Sequence, residues 1–256
     1  MTGLEDEQLD DLVSRIQVRT GQLTSAGRGY ALDLHRSVAL VVYLMRKNPT
    51  QAVAGAIFGV SQPTVSRRWD LLRPIIADVL EGSVPTPAEI AGKDATILVD
   101  GTLCPCWDWT AAPNLFSGKH HQAGHNIQIA ATLKGDLVAV GPSPVPGARH
   151  DAVAFEASGL KAAISGMHTA ADLGYIGVEG IDIVAHKTPP GGQLQPHQSA
   201  FNKTLSSFRA AVERAIAHLK TWRMLSEEGG RYRPPLHKFE NTLKAIVGLF
   251  FFSAYE

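Results

Sequence analysis

Ile97-Leu98-Val99-Asp100-Gly101-Thr102 is the stretch whose reading decides the fold. An apolar run rich in β-branched residues leads into a carboxylate and then a glycine. That pattern predicts a buried central strand delivering Asp100 at its C-terminal end, where a sheet opens to solvent. An Asp at that place is, by itself, ordinary turn chemistry. Two later stretches change its meaning. A second apolar segment ends in Ala171-Asp172-Leu173-Gly174-Tyr175, and a predicted helix carries Arg209-Ala210-Ala211-Val212-Glu213-Arg214. Three acidic residues on three separated elements are what a site for two hard cations requires, because such ions need oxygen ligands from rigid, independent supports.

Working outward, the order of elements from Asp100 reads strand, strand, strand, helix, strand, strand, helix. Asn126 to Leu133 and Leu137 to Val140 are strands joined by the turn Lys134-Gly135-Asp136. A helix follows from about Asp151 to Ile164, with Asp151 or His150 as its cap. Met167 to Ala171 and Ile181 to Ala185 are the next strands. A long amphipathic helix runs from about Ser199 to Met224, and a strongly apolar helix begins near Lys238. Hairpin-joined strands followed by a crossover helix give an α/β class of ribonuclease H-like order, a mixed sheet flanked by helices.

Upstream lies an all-α segment. Leu9, Leu12, Val13 and Ile16 mark a short helix, and Thr24 to Gly29 a linker. Leu34, Val38, Val41, Val42 and Met45 form one stripe closed by Asn48-Pro49. Thr50 caps a helix to Phe58, Gly59 turns the chain, and Ser61 caps a third helix with Pro63 in its first turn. This is a helix-turn-helix over about residues 34–73. Val65 and Trp69 face inward. Gln62, Thr64, Ser66, Arg67 and Arg68 are the candidates to face a duplex, through base edges and phosphates. Val84-Pro85-Thr86-Pro87 marks the boundary, dividing the chain into a helical domain (1–90) and an α/β domain (91–256).

The bulk charge is silent, with 24 Lys and Arg against 24 Asp and Glu. Its distribution is not: seven Lys and Arg face two Asp between Arg28 and Arg73, and nine face five acids from residue 200 onward. Two basic regions flanking a neutral middle suit a bound polyanion. Cys104 and Cys106 have neither the spacing for a zinc site nor the geometry for an unstrained disulfide, and read as ordinary thiols of a reducing cytoplasm. The acidic start, Met1 to Asp11, is no signal peptide. Ala245 to Phe252 is too short to span a bilayer, so no membrane is expected as a partner.

Several stretches together resemble bacterial insertion-sequence transposases of the DDE type, nearest the insertion-sequence family 5 and Harbinger-like group. They are Ile97 to Thr102, Phe116-Ser117-Gly118-Lys119-His120, Asn126-Ile127-Gln128, Pro146 to Asp151, Ala171 to Tyr175, Phe201-Asn202-Lys203, and Arg209 to Arg214 with Leu219-Lys220. The resemblance covers nearly the whole chain from about Leu32, helix-turn-helix included. It implies DNA strand cleavage and strand transfer at transposon ends. It implies a catalytic, metal-holding triad of Asp100, Asp172 and Glu213, with two divalent cations, most simply Mg²⁺ with Mn²⁺ as the alternative. Asp151 competes for the second position but would start the crossover helix rather than end a strand, so Asp172 ranks first. Lys119, Arg209 and Lys220 join the helix-turn-helix residues as candidate DNA contacts. The implied partners are double-stranded DNA, at terminal inverted repeats and target, and a second copy of the chain, in the bacterial cytoplasm at the nucleoid. The competing readings are a decayed, DNA-binding regulator and a ribonuclease H-like nuclease that cuts without strand transfer.

Overall fold

The computed structural model describes residues 1–21, 31–92 and 95–255; the linker expected at Thr24 to Gly29 lies outside them. Four helices come first, α1 (Asp6–Thr20), α2 (Leu34–Lys47), α3 (Gln51–Phe58) and α4 (Gln62–Leu80), then a short α5 (Pro87–Ala91). Strands β1 (Thr96–Pro105), β2 (Phe116–Ser117), β3 (Gln122–Thr132), β4 (Leu137–Val140) and β5 (Val145–Pro146) follow. After them come α6 (Asp151–Ala157), α7 (Leu160–Ala163), β6 (His168–Ala171), β7 (Ile183–Val184), α8 (Pro196–Leu219) and α9 (Phe239–Tyr255).

Two compact units result, and their composition departs from the division drawn at residue 90. One unit is Met1–Val84 together with Lys220–Glu256; the other is Pro85–Leu219. The reason lies in α9. Its Phe239, Leu243, Ile246 and Leu249 are fully buried, as are Leu72, Ile76 and Leu80 of α4. A Cβ added at Gly248 would stand 2.8 Å from the Leu80 side chain, so the two helices approach closely where α9 has no side chain. Polar contacts agree: Arg73 Nε donates to Asn241 Oδ1 at 2.9 Å, and Lys238 pairs with Asp70.

In this helical unit the expected turn chemistry is present at Thr50 and Gly59, whereas Ser61 stands at the N-cap of α4 without a side-chain capping bond, its hydroxyl paired with Thr64 Oγ1 at 3.1 Å. Thr50 Oγ1 accepts from the Val53 amide at 3.3 Å, and Gly59 takes a left-handed φ of 70°. Gly55 is obligatory for another reason, since a Cβ there would sit 2.6 Å from the Val60 carbonyl oxygen. Val65 and Trp69 are buried as the helical spacing predicts. The helix α4 runs past Leu72 and through Pro74, because the apolar stripe continues at Ile76, Ala77 and Leu80.

The second unit is built on a seven-stranded mixed sheet in the order β2-β3-β1-β6-β7, with β4 and β5 also paired to β3. Strand β1 is antiparallel to β3 and parallel to β6, the ribonuclease H-like arrangement. Alternation along β1 sorts its neighbours. Ile97 and Val99 pack with Phe155 and Leu160 of α6 and α7. Leu98 and Asp100 look to the other side, toward Leu205 and Val212 of α8. The crossover helix expected from Asp151 to Ile164 is broken at Gly159, whose φ is 79°. The long helix ends at Leu219, before Lys220.

Candidate active site

Register places the first two acids together. Strand β1 is longer than expected, so Asp100 lies in mid-strand rather than at its end. Its parallel pairing to β6, however, stops at Val99 opposite Ala171. Asp100 and Asp172 occupy what would be the next rung, where β6 has ended and the sheet opens on that side. Positions on the same rung of neighbouring strands lie roughly 4.8 Å apart. Each carboxylate is steadied by the backbone just after it: Asp100 Oδ1 accepts from the Gly101 amide and Asp172 Oδ1 from the Gly174 amide, both at 2.8 Å. Both acids line a cavity of about 200 Å³ that Arg209, Ser206 and Asn202 of α8 close from above.

A further carboxylate, that of Asp151, stands nearby. An added Cβ on Gly101 would fall 2.4 Å from Asp151 Oδ1, so Asp151 fills the space a side chain at Gly101 would need. A point 2.9 Å from Asp172 Oδ1 lies 3.8 Å from Asp151 Oδ2. A polar chain fixes this carboxylate. Tyr175 Oη donates to Gln128 Oε1 at 2.6 Å, Gln128 Nε2 to Asn126 Oδ1 at 2.9 Å, and Asn126 Nδ2 to Asp151 Oδ1 at 2.9 Å. Lys119 Nζ donates to Asp151 Oδ2 at 3.1 Å. Asn126, Gln128 and Tyr175 were not picked out from sequence as site-forming groups. The available signal was two amides at alternate positions of a strand, facing a crowded interior. His150 occupies the cap position of α6, but its side chain makes no capping bond.

The electrostatics follow from this crowding. Burial, and then the neighbouring Asp172 and Asp151, push Asp100 up to about 6, against the opposing pull of the Gly101 amide and Arg209. Burial works against the charge on Lys119, yet the three aspartates outweigh it and its pKa is raised. The Tyr175 phenol is pushed up by burial and by the same three carboxylates, and so stays protonated as a donor. Both cysteines are buried and outside any disulfide, and burial lifts Cys106 to about 12.

Glu213 is exposed and does not line the cavity. The cavity-facing residues of α8 are Asn202, Leu205, Ser206, Arg209 and Val212. At 3.6 residues per turn, Glu213 falls inside the arc they define, one turn beyond Arg209. Among the described residues no three His, Cys, Asp or Glu side chains are gathered as a ready-made metal cage. Asn202, in the Phe-Asn-Lys stretch, clamps the chain leaving β7: it accepts from the His186 amide at 2.8 Å and donates to its carbonyl at 2.9 Å.

Comparison with known proteins decides the family. Residues 99–250 match the DDE superfamily endonucleases, and residues 30–82 match the helix-turn-helix of DDE superfamily endonucleases. The chain belongs to the DDE superfamily endonucleases. It is also 32% identical over 227 residues, 88% of this chain and 84% of the relative, to a putative transposase for insertion sequence element IS112 from Streptomyces albus G.

In this DDE endonuclease the helix-turn-helix implies DNA binding, and its own unit shows which residues present themselves. Gln62 and Arg67 are exposed, and Thr64 and Ser66 partly so. Gln62 Nε2 bonds Gln51 Oε1, and Arg67 donates to Thr64 Oγ1 at 3.3 Å. Arg68 corrects the expectation, for it is only 7% exposed. It lies three residues after Val65 and four before Leu72, on the buried stripe, and so is not offered to a duplex. Lys220 also shifts: it follows the end of α8 and groups with the helical unit. No described helix of the DDE endonuclease is long and apolar enough to cross a membrane.

Family membership implies use of a divalent metal. The residues present fit a hard cation of the magnesium type. Such ions keep much of their water and are held by one or two carboxylates plus substrate phosphate rather than by an all-protein cage. Asp100 and Asp172 would supply that oxygen pair, both carboxylates lining the same cavity.

Proposed function

We propose that this protein is a transposase that cuts DNA at the ends of an insertion element and joins the freed end to a target. Its subgroup is the insertion-sequence family 5 and Harbinger-like one, and it acts at the nucleoid as a dimer, because two ends must be brought together. The observation that carries the reading is the shared rung of Asp100 and Asp172 at the point where the sheet opens. These two acids would hold the cation pair, Mg²⁺ or Mn²⁺, with Glu213 supplying the third carboxylate from α8. When bound, the ions supply Lewis acidity to an in-line displacement at phosphorus.

The remaining residues position the DNA. Arg209, on the cavity rim beside Asp100, meets the scissile phosphodiester. Asp151 holds Lys119 at the mouth while leaving its side chain 66% exposed, free to offer further donors to a phosphate. The Tyr175–Gln128–Asn126 chain fixes the orientation of the Asp151 carboxylate beside the site. Gln62, Thr64, Ser66 and Arg67 read the terminal repeats, and residues 1–84 with 220–256 form the DNA-recognition domain.

The test is nicking of DNA carrying the element's own terminal repeats. Wild type nicks in Mg²⁺. Asp172→Asn loses at least about 10²-fold in rate, the loss of several kcal/mol of charge stabilisation, while still binding the repeats. If both proteins bind repeat DNA and nick equally poorly, the chain is a DNA-binding protein derived from a transposase.

A further inference from the structure

A second cavity, of about 400 Å³, adjoins the aspartate site through Gly101. That volume lies in the roughly 300–1,000 Å³ range of sites for small organic groups. Its walls are Gly101–Leu103 of β1, the Phe116–His120 segment and the Gly147–Asp151 segment. Two features set it apart from an ordinary surface cleft. Phe116 on its wall is 41% exposed and pairs with Trp109, itself 37% exposed, at 5.7 Å between ring centres and 34° between planes. Trp107, at the start of the same loop, is 65% exposed. Clustered exposed rings are unfavourable in water and mark a binding surface. Lys119 and Arg149 stand on the same cavity, and Gly118 leaves open space around it. Flat apolar rings beside cations are the chemistry that holds single-stranded nucleic acid, with bases on the rings and phosphates on the cations.

We propose that this cavity takes one unstacked nucleotide of the DNA strand entering the aspartate site. Its base lies against the Phe116–Trp109 pair and its phosphate against Lys119 and Arg149. Paired bases expose only their edges, so a duplex cannot present a base face to these rings; the strand must be unpaired at this point. The inference rests on the endonuclease reading only for its account of why DNA comes here. It is separable by experiment.

The probe is fluorescein-labelled oligo-dT of eight nucleotides, titrated against the full chain by anisotropy, with a blunt 20-base-pair duplex in parallel. Trp109→Ala and Phe116→Ala each weaken oligo-dT binding by about 5- to 150-fold, the span of one stacked base, and change duplex affinity by less than about twofold. Circular dichroism checks that both variants fold. In a second measurement, oligo-dT carrying 4-thiothymidine is photocrosslinked to wild type, and the label is found on the tryptic peptide that ends at Lys119. Wild-type affinity in both variants, or crosslinks confined to other peptides, overturns the proposal. Asp172→Asn separates it from the catalytic reading. If that variant nicks like wild type while the aromatic variants lose oligo-dT, the catalytic assignment fails and the cavity stands. If nicking depends on Asp172 and the aromatic variants bind normally, the cavity alone fails.

Discussion

Asp151 occupies the place where a side chain on Gly101 would go, which makes that glycine a requirement of the site. In Gly101→Ala the new methyl would press on Asp151 Oδ1 at 2.4 Å and Gln128 Nε2 at 2.6 Å. Overpacking of this kind costs about 1–3 kcal/mol, so we expect a lowered urea midpoint and a nicking rate down by at least tenfold. Asp100 gives a pH prediction. Its carboxyl holds a proton up to about pH 6 in the folded protein, against about 3.9 in an unfolded chain. The folded state therefore binds more protons between those values, and metal-free stability falls as pH rises from about 4 to 6, by up to about 3 kcal/mol. Protons and cations compete for the same oxygens, so the rise in melting temperature on adding Mg²⁺ should be large at pH 7.5 and small at pH 5. A rise equal at both pH values would remove Asp100 from the metal site. In Asp100→Asn both pH trends should flatten.

Between elements, the polar chain from Tyr175 to Asp151 ties the turn after β6 to β3 and to the first residue of α6. Tyr175→Phe leaves Gln128 Oε1 without its donor in a buried setting, a loss of about 1–3 kcal/mol. We expect destabilisation in that range by urea melts, together with slower nicking at unchanged duplex affinity. For the recognition helix, Arg67→Ala should weaken DNA binding and lower the salt slope by about one counter-ion, whereas Arg68→Ala should act on stability instead. This contrast shows where reading a sequence stops. Strand periodicity at Ile97 to Val99 and helix periodicity at Val65 and Trp69 are local, and they reveal which residues are buried. Arg68 defeats the pattern because a long charged side chain can lie along a buried stripe. The network at Asn126 and Gln128 was hidden for another reason. Amides in a strand acquire meaning only when the crossover helix brings Asp151 over them. The rung shared by Asp100 and Asp172 depends on register between strands distant in sequence, which no local pattern encodes.

At the level of the whole molecule, the order of strands and helices along the chain was readable because turns and hairpins are local. The grouping of residues 220–256 with the first helices was not, since an apolar helix does not declare which partner it covers. A fragment of residues 1–90 should therefore lack a cooperative melting transition and bind a hydrophobic dye. Adding residues 220–256 through a flexible linker should restore both folding and duplex binding. A cooperative, dye-free fragment of residues 1–90 would show that α9 is dispensable.

That arrangement bears on the order of synthesis. The helix that completes the helical unit is translated only after every residue of the aspartate site has been added to the chain. A copy interrupted between Leu219 and Phe239 would therefore keep every carboxylate of the aspartate site and lose the helix that covers α4. It would carry the cutting residues without the proposed means of docking them on the repeats.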